Sequence, residues 1–390
     1  MAMAEMLGAI DILERLISFP SVSARSNLDV IQWIRDQLAQ HGVKSDLVPA
    51  PDGQPKANLW ASIGPAAPGG LVLSGHTDVV PVEGQPWSSD PFTLTRRDGR
   101  LYGRGTSDMK GFIALCLALV PEMLARPLKV PIHFAFSYDE EVGCLGAPHL
   151  IAELGRRFPK PALAIIGEPT ELKLGTRHKG CYSFETEITG RDAHSSQTHK
   201  GANAILAAAE IVAELDRIAE ALQQSSFNDA NFEPPYPTIN VGRIDGGTAV
   251  NIVARHCAVH WDFRATPGAD PSLVLPKLER FIAGTVLPRL QRVAPEARVV
   301  TRPRAQVPPL VDEPGGAAEQ LVKFLTGANQ TIGLAFATEA GQFQAAGLSA
   351  IVCGPGSILQ AHQPDEFIEL SQMQAGEAFL RKLIAWAQQG

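Results

Sequence analysis

Two adjacent carboxylates, Glu140 and Glu141, stand in FSYDEEVGCLG, where an apolar run gives way to glycine. Like charges repel, so a chain keeps such a pair beside a buried segment only where water or a cation offsets it. Alone, the pair reads as a solvated turn. Four other fragments change that reading, because each sets an acid or an imidazole just past a strand-like run. LVLSGHTDVV ends with His76 and Asp78, and LYGRGTSDMKG carries Asp108 at the predicted start of a helix near Met109, behind glycines that permit a tight turn. ALAII runs out at Glu168, and AIVCGPGS leads through a glycine turn to His362. Gathered on neighbouring strand ends, His76, Asp108, Glu141, Glu168 and His362 would concentrate negative charge unless cations neutralised it. Imidazole and carboxylate without thiolate suit catalytic Zn²⁺, with Co²⁺ or Mn²⁺ as substitutes. Five donors exceed one open tetrahedral site and suit two ions roughly 3.5–4 Å apart, bridged by a carboxylate and a water. Asp78, two residues after His76 and so on the same strand face, is placed to hold that imidazole's second nitrogen.

An α/β scaffold is what brings such fragments together. The runs NLWASIG, GLVLSGHTDVV, VPIHFAFSYDEE and ALAIIGEPT alternate with helical stretches, which predicts a sheet buried on both faces. Open sheets of this kind bind ligands at the carboxyl ends of their strands. From about residue 178 the texture changes to β-α-β-β-α-β, the ferredoxin-like order, and after Pro308 and Pro309 the α/β texture returns. The expected organisation is a discontinuous α/β domain over residues 1–177 and 306–390, interrupted by an α+β module over 178–305.

Composition narrows the partners. With 390 residues, 45% of them hydrophobic, the chain can bury a large core. A net charge of −7 with no basic block argues against nucleic acid and anionic membrane and toward a small-molecule substrate. Five cysteines, at 116, 144, 181, 257 and 353, never fall as Cys-x-x-Cys and suggest a reduced, cytoplasmic protein. The first residues, MAMAEMLGAIDILERLISFPSVS, read as an amphipathic helix rather than an export signal, and the apolar run FIALCLALV is too short to span a membrane.

The segments SGHTDVVP, YGRGTSDMKG, DEEVG, GEPT, AHSS, GGTAVNIV and CGPGS with AHQPDEF resemble, in order and over nearly the whole chain, the M20 family of zinc-dependent amidohydrolases and exopeptidases. Within it they are most similar to the acetylornithine deacetylases. The resemblance implies a zinc-exopeptidase-like catalytic domain with a mixed sheet flanked by helices, and a module that serves as lid and homodimer interface. It implies two Zn²⁺, with His76 and Glu168 on one, Glu141 and His362 on the other, and Asp108 bridging. Glu140 becomes the general base and Asp78 the residue that orients His76. His194, in GRDAHSSQTHKG, becomes the group that stabilises the oxyanion from a partner subunit, although Thr198 stands where the family commonly has proline. Asn251 and Arg264 would grip the α-carboxylate of an N-acyl amino acid, while Gly354 and Gly356 permit close backbone approach to it. Glu339, in the acetylornithine deacetylase-like run TEAG, would pair with the ammonium of an ornithine side chain.

Overall fold

A computed structural model describes residues 8–23 and 25–390. The chain forms two compact units. One contains the described residues through Arg177 with Asp312–Gly333 and Thr338–Gly390; the other contains His178–Val311 with Leu334–Ala337.

The first unit is built on an eight-stranded mixed sheet. Its strands run in the order Ser45–Pro49, Ala57–Ile63, Ile132–Ser137, Leu71–His76, Leu163–Pro169, Ser349–Gly354, Leu174–His178, Thr331–Leu334. Leu71–His76 pairs in parallel with both Ile132–Ser137 and Leu163–Pro169, which also pairs in parallel with Ser349–Gly354. Every residue of Leu71–His76 and of Ile132–Ser137 is buried, as the continuous apolar runs require of strands covered on two faces. The helix Gly111–Ala118 supplies Phe112, Ile113 and Leu115 to a core that holds Leu71, Leu73, Phe134 and Phe136. Burial of a side chain such as Phe112 stabilises the fold by about 1.5–3 kcal/mol. That helix lies so close to the sheet that a Cβ on Gly167 would meet the Phe112 ring at 2.1 Å, so only glycine fits one residue before Glu168. The expected amphipathic helix is present as Ala9–Ile17; its predicted part before Gly8 lies outside the described residues. The helix predicted to start near Met109 instead starts at Gly111, because Asp108 and Met109 hold non-helical backbone angles in the turn Thr106–Lys110.

The second unit is a four-stranded antiparallel sheet in the order Thr238–Gly246, His256–Ala265, Gly180–Thr189, Arg298–Val307. Gly180–Thr189 alternates buried and half-buried residues without a break, the pattern of a sheet with one wet face. Against its dry face lies the helix Ala204–Leu222, whose Ala204, Ala207, Ala208, Ile211, Leu215, Ile218 and Leu222 form one apolar stripe. The Asn203 side chain caps that helix by accepting from the Ile205 and Leu206 N–H groups. Among the described residues no cysteine forms a disulfide, and no helix is long and apolar enough to cross a membrane.

Candidate metal centre

Parallel pairing places the ends of three neighbouring strands side by side in the first unit. His76 closes Leu71–His76, Glu168 lies in the adjoining Leu163–Pro169, and Glu140 and Glu141 follow Ile132–Ser137. Asp108 comes from the turn before the Gly111–Ala118 helix, and His362 from the loop after Ser349–Gly354. These residues form two groups whose donor atoms lie within 4.8 Å of one another: His76, Asp108 and Glu168, and Asp108, Glu141 and His362. Asp108 belongs to both. Its Oδ1 is 2.9 Å from His76 Nε2 and its Oδ2 is 3.4 Å from His362 Nε2. Glu168 Oε1 lies 3.8 Å from His76 Nε2, and Glu141 Oε2 lies 2.9 Å from His362 Nε2. Glu140 stands beside the groups but in neither.

The electrostatics of the cluster are those of unneutralised charge. Burial, reinforced by the surrounding carboxylates, pushes Glu140 up to about 8 and Glu141 up to about 7, and raises Glu168 well above the usual range. Burial would raise Asp108 too, but hydrogen bonds from His362 and His76 outweigh it and hold that carboxyl low. Burial disfavours the His76 imidazolium, yet Asp108, Glu168 and Glu140 together raise it, and hydrogen bonds to Asp108 and Glu141 lift His362 to about 10. Protons thus gather where dications would be favoured. Hard oxygen donors and imidazole nitrogens of this kind fit divalent cations.

Asp78 acts differently from the expectation. The strand ends at His76, so side-chain alternation stops before Asp78, and the His76 Nδ1 contact is to the Asp78 backbone carbonyl at 2.9 Å; the carboxylate is 3.6 Å away. That carboxylate instead accepts from Ser23 Oγ at 2.7 Å and from the backbone N–H groups of Glu140 and Glu141 at 3.2 and 3.3 Å. It thereby fixes the turn that carries both glutamates.

Glu339 is also corrected. It is 2% exposed, with Oε2 accepting from Ser74 Oγ at 2.9 Å and Oε1 from Ser137 Oγ, so it is not offered to a substrate ammonium in this structure. Gly354 is glycine for a local reason: an added Cβ would meet the Gly167 carbonyl at 2.0 Å, on the strand that carries Glu168. In the second unit, Ser195 N–H donates to Asn251 O at 3.0 Å and His194 bridges Ile252, which sets His194 and Asn251 side by side. Arg264 is not with them. It lies eight residues beyond His256 along one strand, about 27 Å at strand rise, and pairs with Asp262 at 3.1 Å.

Two supporting contacts escaped the sequence reading. The Cys144 thiol donates to Glu140 Oε1 at 3.2 Å, four residues on, a spacing that a search for paired thiols passes over. Lys56 Nζ meets Asp139 Oδ2 at 2.5 Å in a buried ion pair just before the two glutamates, with no signal in the sequence across 83 positions.

A shared carboxylate flanked by imidazoles, with a further glutamate alongside at the strand ends of a mixed sheet, is the layout of a metallohydrolase site. Comparison with known proteins agrees. Residues 72–386 match the description Peptidase family M20/M25/M40, and the chain belongs to that family, whose members are hydrolases acting on amide bonds. It is 37% identical over 366 residues to an acetylornithine deacetylase of Shigella sonnei, covering 92% of each chain. A Proteus mirabilis protein of the same name is 37% identical over 385 residues, covering 96% of this chain and 95% of the relative. The crystal structure of an M20 family metallo-carboxypeptidase from Sulfolobus solfataricus shares the fold, with a TM-score of 0.75 at 20% identity and full coverage of both chains.

Proposed function

We propose that the chain hydrolyses the amide bond of an N-acyl amino acid, and that its substrate is N2-acetyl-L-ornithine, released as L-ornithine and acetate for arginine biosynthesis. The observation that carries the chemistry is the division of Asp108 between two donor groups with Glu140 beside them. Support for the substrate is the 37% identity to two acetylornithine deacetylases over more than nine-tenths of the chain.

His76 and Glu168 would hold one Zn²⁺, Glu141 and His362 a second, and Asp108 both, with Co²⁺ or Mn²⁺ as substitutes. When bound, such ions polarise the scissile carbonyl and acidify water. Glu140 then acts as general base: its carboxylate takes a proton from the attacking water and returns it to the amine nitrogen as the carbon–nitrogen bond breaks. Asp78 keeps Glu140 and Glu141 oriented through their backbone N–H groups. His194 is proposed to stabilise the oxyanion, and Arg264, with its planar fork of donors, to hold the α-carboxylate.

The second unit is proposed as lid and homodimer interface. Its strand Thr238–Gly246 lies at the sheet edge, and Ile205, Leu206, Ile244, Val250 and Ile252 are exposed, a surface suited to a second copy.

The burial of Glu339 favours one alternative, an N-acyl amino acid hydrolase of broader range, because no other carboxylate is assigned to the ornithine ammonium. Protein stripped by chelator and reloaded with Zn²⁺ or Co²⁺ separates the two on a panel of acetylornithine, acetylmethionine, succinyl-diaminopimelate and dipeptides. Highest kcat/KM on acetylornithine supports the proposal, and a flat profile across acetyl amino acids supports the alternative.

A further inference from the structure

We propose that Glu366, Arg104 and Gln85 are positioning residues that set Asp108 against His362 and so couple the two cation sites; the proposal rests on the two-cation reading above. Glu366 is 1% exposed. Burying a carboxylate so deeply costs several kcal/mol unless its oxygens are satisfied. Four donors satisfy it: Oε2 accepts from Arg104 Nη1 at 2.8 Å and Gly105 N at 3.0 Å, and Oε1 accepts from Ser107 N at 2.9 Å and Asp108 N at 3.1 Å. Two oxygens offer about four acceptor positions, so the carboxylate is saturated. Three of its donors are the backbone N–H groups of Gly105, Ser107 and Asp108, at the start of the turn Thr106–Lys110, in which Asp108 and Met109 hold non-helical angles.

The other end of the network reaches His362. Arg104 Nη2 donates to Gln85 Oε1 at 2.5 Å, and Gln85 Nε2 donates to the His362 carbonyl at 2.9 Å. Arg104 Nη1 also donates to Gln363 O at 3.3 Å. His362 sits at φ 63°, a backbone state that a residue other than glycine holds only when its surroundings impose it. A continuous chain of contacts therefore runs from the Asp108 backbone through Glu366, Arg104 and Gln85 to the His362 backbone. It touches neither ligand side chain, yet it sets where both are held, and Asp108 is the one residue common to both donor groups.

The test is titration of metal-free wild type, Gln85→Leu and Glu366→Gln with Co²⁺, followed by calorimetry and visible absorption. Gln85→Leu cuts the link to His362, removes an acceptor from Arg104 Nη2 and Trp87 Nε1, and introduces no charge. Ligand-supporting contacts of this kind typically change metal affinity by roughly 10–100-fold. The expected result is that Gln85→Leu binds one ion like wild type and the second with that loss, and that saturating Co²⁺ restores its turnover. Glu366→Gln, which presents N–H to N–H, is expected to weaken both ions; if it does not fold, Gln85→Leu decides alone. Two ions bound by Gln85→Leu with wild-type affinity would overturn the inference while leaving the two-cation reading intact. Fewer than two ions on wild type itself would overturn both.

Discussion

Asp108 turns its Oδ1 to 2.9 Å from His76 Nε2 and leaves Oδ2 for a second histidine. One carboxylate thus belongs to two donor groups, and its removal cannot affect only one. Asp108→Ala is expected to lose both ions, whereas Glu168→Gln loses affinity at one. Metal content after desalting checks this, and an Asp108→Ala protein that retains one tightly held ion would count against sharing.

Glu140 lies outside both groups and holds the thiol hydrogen bond from Cys144. Glu140→Gln is expected to keep its metal and to lower kcat by about 10²–10⁴, the usual range for a positioned proton-transfer group. Activity near wild type would remove Glu140 from the proton transfer.

Lys56 faces Asp139 in a buried pair, and Asp139 holds a left-handed backbone, φ 53°, where the chain turns into the two glutamates. Lys56→Met leaves the carboxylate buried without that cation, a change that typically destabilises by about 3–5 kcal/mol. Urea unfolding reads the loss, and a midpoint unchanged from wild type would show that the pair contributes nothing.

His133 is buried against Trp60, its rings stacked at 4.9 Å, and burial lowers its imidazole to about 4. The unfolded chain protonates this residue near pH 6.5 while the native state resists until about 4, so stability is intact above pH 6.5 and falls as pH drops toward 4. At about 1.4 kcal/mol per unit the full loss is about 3 kcal/mol. His133→Gln should flatten that part of the pH dependence, measured as the difference in urea midpoint between pH 7 and pH 5; a variant as pH-sensitive as wild type would place the effect elsewhere.

His76, Glu141 and Glu168 are legible because they sit at or just past the ends of strands whose apolar runs mark them, whereas Asp108, in the turn Thr106–Lys110, and His362, in a loop, are marked only by the glycines before them. Asp78 holds His76 Nδ1 through its carbonyl rather than its carboxylate, because period-two alternation holds only within a strand and this one stops at His76. The burial of Glu339 depends on Ser74 and Ser137, 265 and 202 positions away, and no local pattern encodes that contact. Arg264 lies near the far end of the strand His256–Ala265 from its start, a placement that depends on where the strand begins rather than on any local motif.

The number of divalent ions that the chain holds, and their link to hydrolysis, decides the proposed mechanism most directly. Chelator-treated protein titrated with Zn²⁺ should bind two ions per chain, with acetylornithine hydrolysis absent before metal is added and growing as the sites fill. Full hydrolysis by metal-free protein, or saturation without any bound ion at His76, Asp108, Glu141, Glu168 and His362, would contradict it.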